Sequence, residues 1–188
     1  MWTKSINKYL IFLGPVLLLI LWWIIGTYKL IDPLYLSSLQ ETVGSLFSFL
    51  YNNNGFEHLT ATAYRTLVAF FVAIVLAIPI GLFLGSSKKT YRSLEAVIDF
   101  FRSLPAPALF PLFLLFFGIG DASKIAVATF VAFWVILINT IHGVWNSTKT
   151  RVQVGKVFKA THYQILKEIT FFDALPQIFV GLRTALSL

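Results

Sequence analysis

WNSTKTRVQVGKVFKATHYQILKEITFFDALP, residues 145–176, is the one long polar interruption late in a mostly apolar chain, and its reading decides the fold. It separates two apolar segments and holds five of the fifteen Lys and Arg residues: Lys149, Arg151, Lys156, Lys159 and Lys167. A membrane protein exposes such a stretch to the cytoplasm. Within it Val152, Val154, Val157, Phe158, Ile165, Leu166 and Ile169 recur at roughly helical spacing, with Lys156, Lys159, Thr161 and His162 between them. That pattern predicts two short helices with a break near 159–161, after which Leu175-Pro176 opens the next apolar segment, proline being tolerated in a first helical turn. A structured basic loop of this kind serves either as a helix lying on anionic lipid headgroups or as a docking helix for a soluble partner.

Composition supports the membrane setting. Of 188 residues 57% are hydrophobic and 12% charged, with a mean hydropathy of +0.79. Several runs approach the roughly 18 to 20 apolar residues that cross a bilayer. The expected fold is all-α: a polytopic membrane helical bundle with five apolar segments, the last incomplete. The high pI then belongs to cytoplasmic loops, not to nucleic-acid binding. Cysteine is absent, which excludes disulfides, thiolate metal sites and cysteine nucleophiles.

The first apolar segment, about 10–25, follows Lys4 and Lys8 and ends at Trp22-Trp23, an interfacial aromatic belt; it reads as a retained helix and not as a cleaved signal. Asp32-Pro33 and Asn52-Asn53-Asn54-Gly55 mark turns. Between them Leu39, Val43, Leu46, Phe47 and Leu50 form one face of an amphipathic helix along the outer surface. The second segment, about 66–84, carries small residues at every fourth position: Ala69, Ala73, Ala77, Gly81 and Gly85. Such a stripe lets a neighbouring helix approach closely, and Pro79 is expected to bend the segment near its cytoplasmic end.

A second basic loop, about 85–103, leads into LPAPALFPLFLLFFGI, residues 104–119, which reads as a span despite Pro105, Pro107 and Pro111. Carbonyls freed by proline need protein or water partners in hydrocarbon, so this segment is a candidate wall of a transport pathway as well as a kinked packing helix. Residues 118–124 make an outer turn. The fourth segment, 125–141, ends near Asn139, which is expected to bond a neighbouring helix, and His142. The fifth runs twelve residues past Pro176, about 18 Å, too short for a bilayer, and Arg183 within it either snorkels to the interface or faces an aqueous cavity.

With the N-terminus inside, the cytoplasmic pieces hold eleven basic residues, and the outer pieces hold only Lys29, Arg65 and Lys124. That asymmetry supports the topology.

The run Arg102-Ser103-Leu104-Pro105 through Pro111-Leu112, then Phe117 to Lys124, Asn139-Thr140, Gly143-Val144 and Gly181-Leu182-Arg183, resembles ABC transporter permeases for nitrate, taurine and aliphatic sulfonates. The late loop resembles their cytoplasmic coupling loop, in which a Glu-Ala-Ala triplet is followed by glycine and, further on, by Leu-Pro. Here the triplet falls on Gln153, Val154 and Gly155, and its glycine on Lys159. The spacing is kept and the diagnostic residues are not. The resemblance implies a type I ABC importer permease fold. It makes 1–188 a single transmembrane permease domain, incomplete at its C-terminus, with 145–176 as its coupling loop. It also implies six helices in the complete family fold, a permease dimer, two ATPase subunits, an extracellular or periplasmic solute-binding protein, and a multi-pass location in the cell membrane among lipid. Gln153, Gly155, Lys159, Ala160, Thr161, His162 and Tyr163 would couple to the ATPase. ATP and Mg would be held by that partner, with no cofactor in this chain, which has no G-x-x-x-x-G-K-[ST] sequence.

Two readings from other classes stand beside it. A membrane-embedded enzyme would need a nucleophile with its base, or a metal site, on the spans, whereas His58, His142 and His162 fall in loops or at a span end with no metal-like spacing, and no carboxylate pair sits inside a span. A passive channel with a surface-lying basic loop leaves the late loop without a purpose.

Overall fold

Apolar runs divided by polar turns form helices throughout the computed structural model, which describes residues 8–51, 53–147 and 149–188 and has no strand among them. Lys4, counted above with the cytoplasmic charges, and Asn52 of the expected turn lie outside the described residues. Two compact units divide the chain, Met1–Thr60 and Ala61–Leu188.

In the first unit α1 (Lys8–Thr27) is followed by α2 (Leu39–Tyr51). Asp32 makes the expected turn, its carboxylate accepting from the Leu34 N–H at 2.9 Å and its carbonyl from the Tyr35 N–H at 2.9 Å. Ser38 and Glu41 form a capping box at the start of α2: the Ser38 hydroxyl accepts from the Glu41 N–H at 3.3 Å, and the Glu41 carboxylate accepts from the Ser38 N–H at 3.2 Å. The two belt tryptophans differ. Trp22 is half-buried and donates its indole N–H to the Ser37 carbonyl at 3.0 Å, whereas Trp23 is exposed. The expected apolar face of α2 is present, with Val43, Leu46, Phe47 and Leu50 all exposed.

Long helix α3 (Asn53–Ser86) begins much earlier than the span expected at 66, because Asn53, Asn54 and Gly55 continue helically where a turn was expected. From Ala61 onward it belongs to the second unit, with α4 (Lys88–Ser103), α5 (Ala106–Phe117), α6 (Asp121–Trp145), α7 (Lys149–Val157), α8 (His162–Gln164), a π-helical stretch (Ile165–Thr170) and α9 (Phe171–Leu186).

Helix α6 is the axis of that unit. The small-residue stripe of α3 packs on it: Ala69, Ala73 and Ala77 are at most 2% exposed, while the large Leu67, Phe71, Val75 and Phe83 on the other faces of α3 are at least 59% exposed. Contact is backbone-close, since a Cβ added at Gly81 would stand 2.7 Å from the Thr140 Cβ, and one at Gly85 2.7 Å from the Val144 Cβ. Against another side of α6 lies α9, where a Cβ at Gly181 would come within 2.6 Å of the Asn139 Cβ. Ile136, Leu137 and Ile141 of α6 fill the core between them. At one end Arg65 Nε of α3 pairs with Asp121 of α6 at 2.7 Å. Helix α3 runs through Pro79 as one element, with Pro79 exposed.

Three expectations are corrected. The basic loop at 85–103 is the strongly amphipathic helix α4, capped by Ser87, whose hydroxyl accepts from the Thr90 N–H at 3.3 Å. It buries Ile98, sets Tyr91 edge-on to Trp145 at 4.7 Å and stacks Phe101 on Trp134 at 5.7 Å. The expected span 104–119 is broken: α4 and α5 meet at 93°, and α5 has 12 residues, roughly 18 Å of helix. Leu104, held extended before Pro105, makes the break. Pro105 caps α5 and Pro107 lies in its first turn, where an N–H has no helical acceptor, so only Pro111 removes a donor from the ladder. Lastly, Leu175-Pro176 does not open the fifth segment. Backbone is helical without interruption from His162, and Pro176 is inside α9.

These differences change the count. Two described helices, Gly55–Ser86 and Asp121–Trp145, are long and apolar enough to cross a membrane, or three if the bent α4–α5 pair is one span; Phe12–Thr27 is a shorter apolar helix. Among the described residues the count of five apolar segments is not confirmed.

Ala73 tests the α3–α6 seam, because it is fully buried where the helices touch. Ala73→Leu is expected to cost about 1–3 kcal/mol by overpacking and to lower the apparent melting temperature in detergent, while Val75→Leu on the exposed side leaves it nearly unchanged.

Candidate functional site

The break expected near 159–161 is present, and its geometry is specific. Helix α7 ends in a Schellman arrangement: the Ala160 N–H bonds the Gly155 carbonyl at 3.0 Å and the Lys159 N–H bonds the Lys156 carbonyl at 2.9 Å. That closure requires a left-handed residue, and Lys159 supplies it with φ 55°. Lysine thus takes the backbone conformation that helix ends usually give to glycine, at about 1 kcal/mol of steric cost. Gly155 is buried for a different reason: a Cβ there would lie 2.8 Å from the Ile169 Cδ1, so its absence lets α7 rest on the π-helical stretch.

After the break Thr161 restarts the helix. Its hydroxyl accepts from the Gln164 N–H at 3.3 Å, and the Gln164 side-chain oxygen accepts from the Thr161 N–H at 2.8 Å, a capping box for α8. His162 and Tyr163 are exposed on α8. The loop's apolar residues divide between two faces: Ile165 is buried and Leu166 and Ile169 half-buried, whereas Val154, Val157 and Phe158 are exposed. An exposed apolar strip beside a short, rigidly capped helix is a surface suited to docking.

Asp173, which the sequence reading did not single out, ties this loop to α9. Its side chain is 6% exposed and accepts an ion-paired hydrogen bond from Arg151 of α7 and another from the Ser147 hydroxyl at 3.0 Å. The available signal was an acidic residue inside a basic loop, shortly before an apolar segment. The coupling candidates Gln153, Gly155, Lys159, Ala160, Thr161, His162 and Tyr163 therefore lie along one elbow, α7–turn–α8. Beneath it, a cavity of about 420 Å³ reaches the ends of α3 and α6.

Pro79, Pro105, Pro107, Pro111 and Arg183 are exposed. Asn139 bonds a neighbouring helix as expected, its Oδ1 accepting from Gln177 Nε2 of α9 at 3.0 Å while its Nδ2 donates to the Val135 carbonyl at 2.8 Å. A second cavity, about 410 Å³, lies between α3, α5, α6 and α9. Helix α5 lines it through Ala106 and Phe110 and not through its prolines, and Thr66 and Lys124 are polar residues on its wall.

The family described as "Binding-protein-dependent transport system inner membrane component" matches residues 73–188. The taurine transport system permease protein TauC of Escherichia coli K12 is 31% identical over 175 residues, covering 90% of this chain and 63% of that protein. The nitrate import permease protein NrtB of Synechocystis sp. is 30% identical over 80% of this chain and 56% of its own length. The bicarbonate transport system permease protein CmpB of Synechococcus elongatus is 28% identical, covering 100% of this chain and 70% of that protein. This chain thus spans less than two thirds of the taurine and nitrate proteins. Among solved structures, inward-facing forms of the MetNI methionine ABC transporter share the fold, with a TM-score of 0.61 and 23% identity over 68% of this chain and 66% of that one.

Two substitutions test the elbow. Lys159→Gly is expected to relieve up to about 1 kcal/mol and to slow backbone hydrogen exchange across 158–161. Asp173→Asn is expected to loosen α7 by about 1 kcal/mol, a value held down by the exposure of Arg151, and so to speed exchange in 149–157 several-fold without unfolding α6.

Proposed function

Because the chain belongs to the binding-protein-dependent transport system inner membrane components, we propose that it acts as a permease subunit of an ATP-driven importer, coupling closure of separate ATPase subunits to alternating access. The observation that carries this reading is the elbow. Exposed α8 is capped at its start and runs on as unbroken helix into α9, which packs along α6. A push on α8 would travel down that helix into the centre of the bundle. The π-helical stretch at 165–170 is where the ladder can change register under such a load.

Energy would come from the partner, since this chain has no phosphate-binding loop of its own. ATP and Mg would accordingly be bound there, and a second permease copy and a solute-binding protein would complete the assembly. The solute would be a small anion of the nitrate or sulfonate kind, a proposal supported by the names of the taurine, nitrate and bicarbonate relatives. Lys124, at the wall of the cavity lined by α5, would supply positive charge for it. The N-terminus would be cytoplasmic, placing the elbow on the ATPase side, in line with the basic residues concentrated in 85–103 and 145–176.

Since the chain has no cysteine, Tyr163→Cys introduces a single thiol on exposed α8 while sparing the Thr161–Gln164 cap. Co-expressed with a candidate ABC ATPase bearing one cysteine in its docking cleft, it is expected to give a crosslink whose yield changes with ATP. Well-expressed proteins that neither crosslink nor co-purify would overturn the docking role and favour a loop lying on the membrane surface.

A further inference from the structure

The cavity of about 420 Å³ under the elbow has an unusual electrostatic lining. Lys88 from the first turn of α4, Lys156 from α7 and His162 from α8 border it, and none of its lining residues is Asp or Glu. Neither Lys88 nor Lys156 belongs to the ion pairs Arg65–Asp121, Arg102–Asp99 or Arg151–Asp173. Like charges around one cavity repel. That repulsion disappears if the cavity holds a group with negative charge.

We propose that this cavity binds a phosphate group, bridging the start of α4 to the α7–α8 elbow. Lysine is suited to it as a compact, strongly hydrated point charge that accepts phosphate from several directions. The amide of Gln153 adds neutral hydrogen-bonding capacity in the same wall, and Lys88 opens a 16-residue helix whose N-terminal end carries partial positive charge. The volume suits a phosphate carried on a small organic body better than the bare ion. Two sources present that chemistry at the cytoplasmic surface of a membrane: a soluble phosphorylated molecule and the headgroup of an anionic phospholipid. Either would clamp α4 to the elbow and so set how freely α7 and α8 move, a control exerted from inside and distinct from the docking surface on exposed α8.

The test places the protein in phosphatidylcholine nanodiscs and follows hydrogen exchange in 149–170 in three arms: no addition, inorganic phosphate, and replacement of part of the lipid by phosphatidylglycerol. Protection is expected in at least one of the last two arms, phosphate alone indicating a soluble ligand and phosphatidylglycerol alone a lipid headgroup. Lys88→Gln/Lys156→Gln is expected to weaken it about tenfold or more, whereas Lys89→Gln/Lys167→Gln, which removes two lysines outside the lining, leaves it intact. Gln153→Glu, placing a carboxylate in the cavity with minimal change of shape, should abolish protection in a second, independent way. Equal protection in the two double variants, or none in wild-type protein in either arm, overturns the proposal.

Discussion

Everything in the larger unit depends on how closely α6 can be approached. Glycine and alanine on α3, and glycine on α9, bring those helices so near that added Cβ atoms at Gly81, Gly85 and Gly181 would stand 2.7, 2.7 and 2.6 Å from atoms of α6. Lipid tails are as apolar as leucine, so a membrane helix gains little by burying large side chains; it gains by close contact and by satisfied polar groups. This explains the inversion seen on α3, with alanine inside and phenylalanine and leucine outside. It also explains the placement of polar groups at the seams, Asn139 with Gln177 between α6 and α9 and Arg65 with Asp121 between α3 and α6.

A bundle held this way transmits displacement. Well-packed interfaces do not deform continuously, so a push at one end of α9 is resolved either as a rigid shift against α6 or as a change within α9 itself. The chain places a π-helical stretch where α9 leaves the elbow and a glycine, Gly155, where α7 rests on that stretch. Asp173 closes the arrangement by holding Ser147 and Arg151, on either side of the turn between α6 and α7, against the first turn of α9.

Lys159 illustrates how a local penalty is tolerated. Its left-handed conformation is costly for a side chain with a Cβ, yet two backbone hydrogen bonds of the Schellman closure and the Thr161 capping box immediately after it fix the turn from both sides. Lysine therefore raises the energy of the turn without opening it.

By itself the sequence determined the class, because composition and apolar run length answer directly to the bilayer. It determined the α3 stripe, because a four-residue repeat of small side chains has one geometric meaning on a helix. The break before Thr161 was legible for a similar reason: apolar periodicity lapses there. What it left open were local breaks masked by the apolar pattern, and contacts between elements distant in the chain. Ser87 capping and the burial of Ile98 turn an apparent loop into α4, and the 93° bend makes 104–119 a short helix where a span was expected. The prolines read as pathway candidates are exposed, two of them at a helix start where proline costs little, and Ala106 and Phe110 are the α5 residues that line the second cavity. Only the tertiary structure could select Asp173 from the chain's eight acidic residues, since its importance lies in meeting Arg151 and Ser147, each more than twenty positions away. Periodicity is a property of one helix and can be read along the chain; a partner is a property of two, and is fixed only when they pack.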